Sequence, residues 1–568
     1  MVNLTIDGKA VSVPAGTTIL EAARQVGVHI PTLCYLKDLN EIAACRVCVV
    51  EVEGNEKLNA ACNTAVEEGM VVHTASPQVL RARRINVQLI LSQHNVSCAT
   101  CVREGNCALQ RVCRELNLLD DPFDNKALPF RWDKGFPLIR DAGKCVQCLR
   151  CVNVCEKVQG LGVWAFNGTG RLSQVEVRGG LDIKDVNCAL CGQCITHCPV
   201  GALSARDDTK KALKAIADPD KLTIVQVAPA VRAAWGDAVG LPPELATEKR
   251  MVSAIRSLGV DYVFDTDFSA DLTIMEEGSE LVERIKEGKQ GPMFTSCCPG
   301  WVRFLKLEYP DMVGELSTAK SPQQMFGAVV KSYYAQLLGV EPDKLFCISI
   351  MPCSAKKYEC DVPEVNDAAE KDVDLVLTTR ELGRLLQGVD VSSLPEEDFD
   401  QPLGTATGAG VIFGATGGVM EAALRSAHFL LTGKNPDADA FTEVRGLQGW
   451  KDASYQIGSI KLKVAVTSGL GNARKLLEAL RAGEVHYDFV EVMACPGGCA
   501  GGGGQPICDG QELAGERGER LYALDKGNPM RFSHENPAVL ALYKDFMEAP
   551  LSHKAHKFLH TDQSQWTL

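Results

Sequence analysis

The stretch 291–301, GPMFTSCCPGW, runs like a strand into two adjacent cysteines, Cys297 and Cys298, and leaves them through Pro-Gly into the helical pattern WVRFLKLEY. A strand that ends at a turn and restarts as a helix is the unit from which α/β domains are built. Other segments have the same character: LTIVQVAP, LFCISIMPC, VDLVLTT, LKVAVTSG and YDFVEVMACPGG are apolar, strand-length and separated by helical patterns. Such runs fit strands covered on both faces, hence parallel sheets with covering helices. Several end directly in cysteine-bearing turns, and the carboxyl ends of strands are where these sheets hold ligands. Adjacent thiols seldom bond to each other or ligate one metal together, so Cys297 and Cys298 are expected to do different work.

The chain has 568 residues, 46% of them hydrophobic, which allows several domains with sizeable cores. Its 24 cysteines set it apart. The opening MVNLTIDGKAVSV alternates like a strand and carries no basic n-region, apolar core or twin arginine. Clustered cysteines without an export signal read as metal ligands rather than disulfides, and the expected location is the cytoplasm. No apolar run is long enough to span a bilayer. A net charge of −13 argues against nucleic acid as a partner. The one dense basic run, RARRINV at 81–87, reads as a solvated helix face.

The strongest spacing signal is C-x2-C-x2-C-x3-C, present at Cys145, Cys148, Cys151, Cys155 and again at Cys188, Cys191, Cys194, Cys198, the second closed by Pro199. This is the two-cluster ferredoxin run, in which the fourth cysteine of each set ligates the other cluster. One 4Fe-4S cluster would use Cys145, Cys148, Cys151 and Cys198; the other Cys188, Cys191, Cys194 and Cys155. A zinc ribbon would need two CxxC pairs, not two runs of four. Upstream, TIDGKAVSVPAGTTILEAARQVGVHIPTLCY reads as a hairpin, a helix and a cysteine loop. It resembles a plant-type 2Fe-2S ferredoxin with Cys34, Cys45, Cys48 and Cys62 as ligands. The spacing C-x10-C-x2-C-x13-C is longer in its first gap than the plant pattern, and zinc is an alternative there. His94-x3-Cys98-x2-Cys101-x5-Cys107 fits either a zinc site of three cysteines and one histidine or a 4Fe-4S cluster with one histidine ligand, the position between iron–sulfur modules favouring iron. Cys113 has no partner by spacing and reads as a core thiol.

Three segments, TSCCPGW (295–301), MPCSAKKYE (351–359) and EVMACPGGCAGGGGQP (491–506), together resemble the signature motifs of the FeFe-hydrogenases, and the front modules resemble those of the long, multi-cluster members in order and kind. The resemblance implies a catalytic cofactor, the H-cluster: a 4Fe-4S cubane on Cys298, Cys353, Cys495 and Cys499, joined through Cys499 to a two-iron group with CO, cyanide and a dithiolate amine. It implies that Cys297 is the proton donor to that amine, with Glu277, Glu280, Arg284 and Ser317 along the proton route to solvent. A bland reading of the same helix is a surface face with a Glu280–Arg284 i,i+4 pair. Lys356 would donate to a cyanide, and Ala228, Pro229 and Ala230 would contact the second. Where some members have serine after that proline this chain has Ala230, leaving only a backbone donor. Gln323, Met351 and Met493 would line the pocket. Cys347, Cys360 and Cys508 match no ligand position. The histidine-bearing tail EAPLSHKAHKFLHT (548–561) is expected to wrap the catalytic domain.

The expected organisation is therefore a 2Fe-2S ferredoxin-like domain at 1–77, a 4Fe-4S module of one histidine and three cysteines at 78–120, a two-cluster ferredoxin domain at 121–208 and an H-cluster domain at 218–568. The cofactors are one 2Fe-2S cluster, three 4Fe-4S clusters and the H-cluster. The implied activity is reversible oxidation of dihydrogen to protons and electrons. No G-x-G-x-x-G follows a strand, since TSGLGNAR and GAGVIFGATGG both miss the spacing. The chain itself is therefore expected to bind no nicotinamide, and the resemblance implies that electrons pass to ferredoxin or to flavin- and NAD(P)-binding partner subunits. A hydrogen sensor would lack the proton relay, and a non-catalytic iron–sulfur assembly factor would lack parts of the three motifs; both are the competing readings.

Overall fold

The computed structural model describes residues 1–120, 122–124, 131–289, 291–508 and 511–566. The expected start of the two-cluster module at Asp121 and the last two residues of the chain lie outside them. The described chain divides into two compact units, one of residues 1–157, 162–186 and 197–204, the other of 158–161, 187–196 and 205–568.

In the first unit Val2–Ile6 pairs antiparallel with Lys9–Val13 and parallel with Val71–His73, which continues into Val49–Val52 and Asn59–Ala60 as a five-stranded sheet. The helix Ile19–Gln25 starts at Thr18, whose hydroxyl accepts from the Glu21 amide. It buries Ile19, Leu20, Ala22 and Ala23 in a core that also contains Cys48 and Cys62. The following helix Pro77–Leu91 holds the basic run, and one of its arginines points inward: buried Arg83 donates to the Val49 carbonyl at 2.8 and 3.1 Å.

The second unit carries two four-stranded sheets. One orders Tyr262–Asp265, Leu222–Val227, Leu345–Met351 and Leu375–Thr378, all parallel. The other orders Met293–Phe294, Phe489–Met493, Ile460–Ser468 and Trp450–Ile457. Its last pair is antiparallel, a hairpin turning at Gly458 (φ 59°). That edge strand, WKDASYQI, alternates polar residues outward and so lacks the continuous apolar run of its neighbours. The helix Thr266–Glu287 is buried from Thr266 through Gly278, far from a solvated surface helix.

The charged segment 204–222 contains the helix Thr209–Ile216, but the aspartate before it is not solvated. Fully buried Asp208 receives the Lys357 ammonium at 2.8 Å, and Lys357 also reaches Glu381 at 3.0 Å and the Val376 carbonyl at 2.6 Å. A buried ammonium is tolerated only with such partners; its removal leaves the buried Glu381 carboxylate without its cation, while Asp208 keeps Arg206 at 3.0 Å and Lys211 at 2.9 Å. Lys357→Met is therefore expected to cost about 3–5 kcal/mol, read as a lower urea midpoint for the second unit's transition. An unchanged midpoint would contradict the assignment.

Candidate active site and metal centres

Four strand ends of the second unit deliver the site. Leu222–Val227 ends at Ala228-Pro229-Ala230, Met293–Phe294 leads to Cys297 and Cys298, Leu345–Met351 to Cys353, and Phe489–Met493 to Cys495. Cys298 caps the helix Pro299–Glu308, whose first residue, proline, needs no amide partner. Cys499 lies in the tight turn Gly498–Gly501. Removal from water raises the thiols of Cys298, Cys353, Cys495 and Cys499 above their ordinary value. Cys353, Cys495 and Cys499 also face the charges of the others in the set. The two effects push Cys353 up to about 12 and raise Cys495 and Cys499 as well. Coordinated iron reverses the logic, since a bound thiol gives up its proton outright.

Backbone approaches where side chains cannot. A Cβ on Gly504 would meet the Pro352 carbonyl carbon at 2.8 Å, and one on Gly498 (φ +77°) the Thr416 amide nitrogen at 2.8 Å. The glycines at 498–504 thus keep the Cys499 turn packed against the Cys353 loop without filling the space in front of it. That space is a cavity of about 60 Å³ lined by Ala228, Pro229, Ala230, Gln323, Met351, Met493, Cys297 and Lys356 together with Cys298, Cys353 and Cys499. Clustered sulfur donors on one wall, one cation and apolar side chains elsewhere suit an iron–sulfur group with small anionic or diatomic ligands. Thr266, Pro322, Phe413 and Gly414 also line the cavity. Sequence reasoning missed them, because the stretch GAGVIFGATGG reads on its own only as a failed nucleotide loop. Gln505 was missed as well; its amide donates to Ala230 O at 2.9 Å and Cys499 O at 3.4 Å, tying two of the loops.

From the cavity a line of protonatable groups leads away. Cys297 is buried beside Glu277. Burial, then the Glu277 charge, raise its thiol well above the ordinary value, so the site does not bring it toward neutrality as a nucleophilic cysteine would need. It rests as S–H, a donor. Glu277 is wholly buried, takes the Ser296 amide at 3.3 Å, and is pushed up to about 8 by desolvation and then by Glu280. At neutral pH it is a carboxylic acid, and its Oε2 has no hydrogen-bond partner among the described residues. The Ser317 hydroxyl donates to Glu280 at 2.7 Å, and the Thr318 amide also reaches Glu280. Arg284 turns away from Glu280 to bind Glu315 at 2.7 Å, so the i,i+4 pair is replaced by a contact to the segment before Ser317. Lys356 is held by Glu359 at 2.8 Å and the Cys297 carbonyl at 3.1 Å; burial opposes its charge, but Glu359 keeps its pKa above the usual lysine value. Gln323 donates to the same Glu359 oxygen at 3.1 Å.

Within the same unit Cys188, Cys191 and Cys194 lie on the segment 187–196, where the Cys495 thiol points at the Cys191 carbonyl at 3.6 Å. Arg303 holds the Cys188 carbonyl and Ser354 the Leu190 carbonyl, each at 2.8 Å. In the first unit the 2Fe-2S candidates form two thiol pairs, Cys34 with Cys45 and Cys48 with Cys62, each in hydrogen-bond contact. The shared proton lowers Cys45 to about 6 and also lowers Cys48. Two ligands per iron is what a 2Fe-2S rhomb requires. Asn40 donates to both the Cys34 and Cys148 carbonyls, at 2.7 and 2.9 Å, joining that loop to the ferredoxin run. Cys145, Cys148 and Cys198 sense one another's charge, and Cys155 receives the Val163 amide at 3.3 Å. His94, Cys98, Cys101 and Cys107 line a second cavity, of about 380 Å³, with Cys113 also on its wall. Among the described residues no three His, Cys, Asp or Glu side chains converge on a point fit for one bare metal ion. No helix among them is long and apolar enough to cross a membrane.

Residues 221–503 match the family described as iron only hydrogenase large subunit, C-terminal domain, and 511–564 the iron hydrogenase small subunit. The front matches a 2Fe-2S iron–sulfur cluster binding domain at 1–77, an NADH-ubiquinone oxidoreductase-G iron–sulfur binding region at 83–121 and a 4Fe-4S dicluster domain at 144–202. The chain is 48% identical to the NADP-reducing hydrogenase subunit HndD of Solidesulfovibrio fructosivorans over 99% of this chain and 98% of that one. It is 39% identical to iron hydrogenase 1 of Clostridium pasteurianum over 99% of both. The solved structure of a single-residue variant of apo [FeFe]-hydrogenase HydA1 from Chlamydomonas reinhardtii superposes with a TM-score of 0.57 at 43% identity, covering 62% of this chain and 98% of that one. With its thiol-ringed cavity, buried acid line and front-end cysteine sites, the chain belongs to the FeFe-hydrogenase family.

Proposed function

We propose that this iron hydrogenase is a cytoplasmic catalytic subunit that exchanges electrons between dihydrogen and NAD(P) or ferredoxin through partner subunits. Full-length similarity to a subunit named NADP-reducing supports this, as does the absence of a dinucleotide fingerprint in the chain's own sequence. The cofactor set we assign is an H-cluster on Cys298, Cys353, Cys495 and Cys499, one 2Fe-2S cluster on Cys34, Cys45, Cys48 and Cys62, and three 4Fe-4S clusters. One of these would use His94, Cys98, Cys101 and Cys107. The bound H-cluster would supply the site of dihydrogen cleavage or formation and the first electron store.

The protein's own part is positioning and proton handling. The observation that carries the reading is the buried line Cys297, Glu277, Ser317, Glu280, which begins on the cavity wall and contains a carboxyl kept protonated near neutrality. Cys297 presents a proton at the cavity and is replenished by Glu277. Glu277 passes its other link to Ser317, whose hydroxyl already points at Glu280. Lys356, fixed by Glu359 and the Cys297 carbonyl, offers a cation to an anionic ligand in the cavity. Arg284, paired with Glu315 and donating to the Pro292 carbonyl, stands near the outer end of the route.

Cys297→Ser replaces a polarisable donor with a hydroxyl of far higher pKa at nearly constant volume. It is expected to keep the wild-type iron content and lose turnover by about 10²–10⁴-fold; full activity would remove Cys297 from the route. Glu277 gives a second check through stability. Its folded pKa of about 8 lies above the ordinary 4.5, so the folded state holds a proton that the unfolded chain has released. The advantage present below about pH 4.5 is lost as pH rises through about 8. Between pH 6 and 9 the melting temperature of Glu277→Gln should therefore gain on that of the wild type; a constant difference would contradict a buried acid at this position.

A further inference from the structure

Arg103 lies two residues after Cys101, on the wall of the cavity that His94, Cys98, Cys101 and Cys107 also line. It is only 5% exposed, and its Nε, Nη1 and Nη2 atoms, all buried, have no hydrogen-bond partner among the described residues. A guanidinium does not lose its proton, and leaving it dry and unpaired is costly. The other charged groups around this cavity are Lys144, Arg114 and Glu104; Glu104 and Arg114 are both exposed, so the charges left against the cavity are those of Arg103 and half-buried Lys144. A cavity of about 380 Å³ with a cationic wall and thiol donors calls for an anion larger than one ion.

The guanidinium also lies against the chain that follows a second donor set, since Gly201, three residues after Cys198, lines the same cavity. The two sets are held close by backbone: a Cβ on Gly201 would sit 2.5 Å from the Cys101 sulfur and 3.7 Å from the Arg103 side chain, and the Ala108 amide donates to the Pro199 carbonyl at 3.0 Å. The chain after Cys198 is thus pressed against the chain after Cys101, with Arg103 at the seam.

We infer that Arg103 is the counter-charge shared by the iron–sulfur groups on His94, Cys98, Cys101, Cys107 and on Cys145, Cys148, Cys151, Cys198, and that it sets their reduction potentials. The inference rests on the reading of both sites as iron–sulfur clusters. Each cluster gains a negative charge on reduction, so a fixed neighbouring cation stabilises the reduced form and raises the potential; five N–H groups can also donate to cluster sulfur. Arg103 acts on the electron path as a positioning and tuning residue, not on the hydrogen-reacting step.

The test is an anaerobic redox titration followed by electron paramagnetic resonance on the full-length, iron-reconstituted protein, with iron and zinc counted on the same samples. R103Q is expected to shift both clusters' midpoints to more negative values, and R103K to restore most of the shift. If R103Q loses iron from the His94 site while R103K retains it, the charge is needed to hold an anionic group there, which supports the same inference. Unchanged midpoints in R103Q at full iron content would overturn it. One zinc in place of four irons would instead sink the cluster reading of the His94 site. The midpoint of the Cys145 cluster would then decide on Arg103 alone.

Discussion

Four enclosed thiols that share one site cannot ionise together unless a cation draws their charge. Cys298, Cys353, Cys495 and Cys499 are in that position, and desolvation, joined at three of them by mutual repulsion, holds each of those pKa values above the ordinary thiol range. As neutral thiols they pack like small apolar groups, and iron–sulfur chemistry inside the site is what would stabilise their ionised form. The surrounding architecture serves this one requirement. Parallel strands bring loops distant in sequence to one edge, and glycines let those loops pack without side chains intruding.

The same constraint orders the groups around the cavity. A buried carboxyl stays protonated near neutrality, so Glu277 rests as an acid on a helix that would otherwise be plain core, which suits the donor role proposed for it. A buried ammonium survives only with a fixed carboxylate, so Glu359 pins Lys356 where Lys357, one residue on, is pinned by Asp208 and Glu381. Adjacent lysines thus point to different duties, as adjacent cysteines do at 297 and 298.

Much of this was legible in the chain. The ferredoxin runs declare themselves because three of each cluster's four ligands come from one short loop, and the three catalytic motifs through their likeness to a known family. What stayed hidden is non-local. Thr266, Phe413, Gly414 and Gln505 reach the site through the packing of elements far apart in sequence, and nothing in their own neighbourhoods marks them. Arg284 chooses Glu315 over the carboxylate one turn before it because the chain returns there after the strand Met293–Phe294. Asp208 looks like a linker residue until the buried lysine opposite it is known. The edge strand Trp450–Ile457 reads as polar because only one of its faces is covered.

The central claim is that these four thiols hold an iron group carrying diatomic ligands beside Cys297. Infrared spectroscopy of the anaerobically matured, full-length protein tests it most directly. Sharp bands from iron-bound carbonyl and cyanide are expected in the wild type, shifting when the protein is moved between hydrogen and an inert atmosphere. Protein with its full complement of iron and no such bands would contradict the assignment.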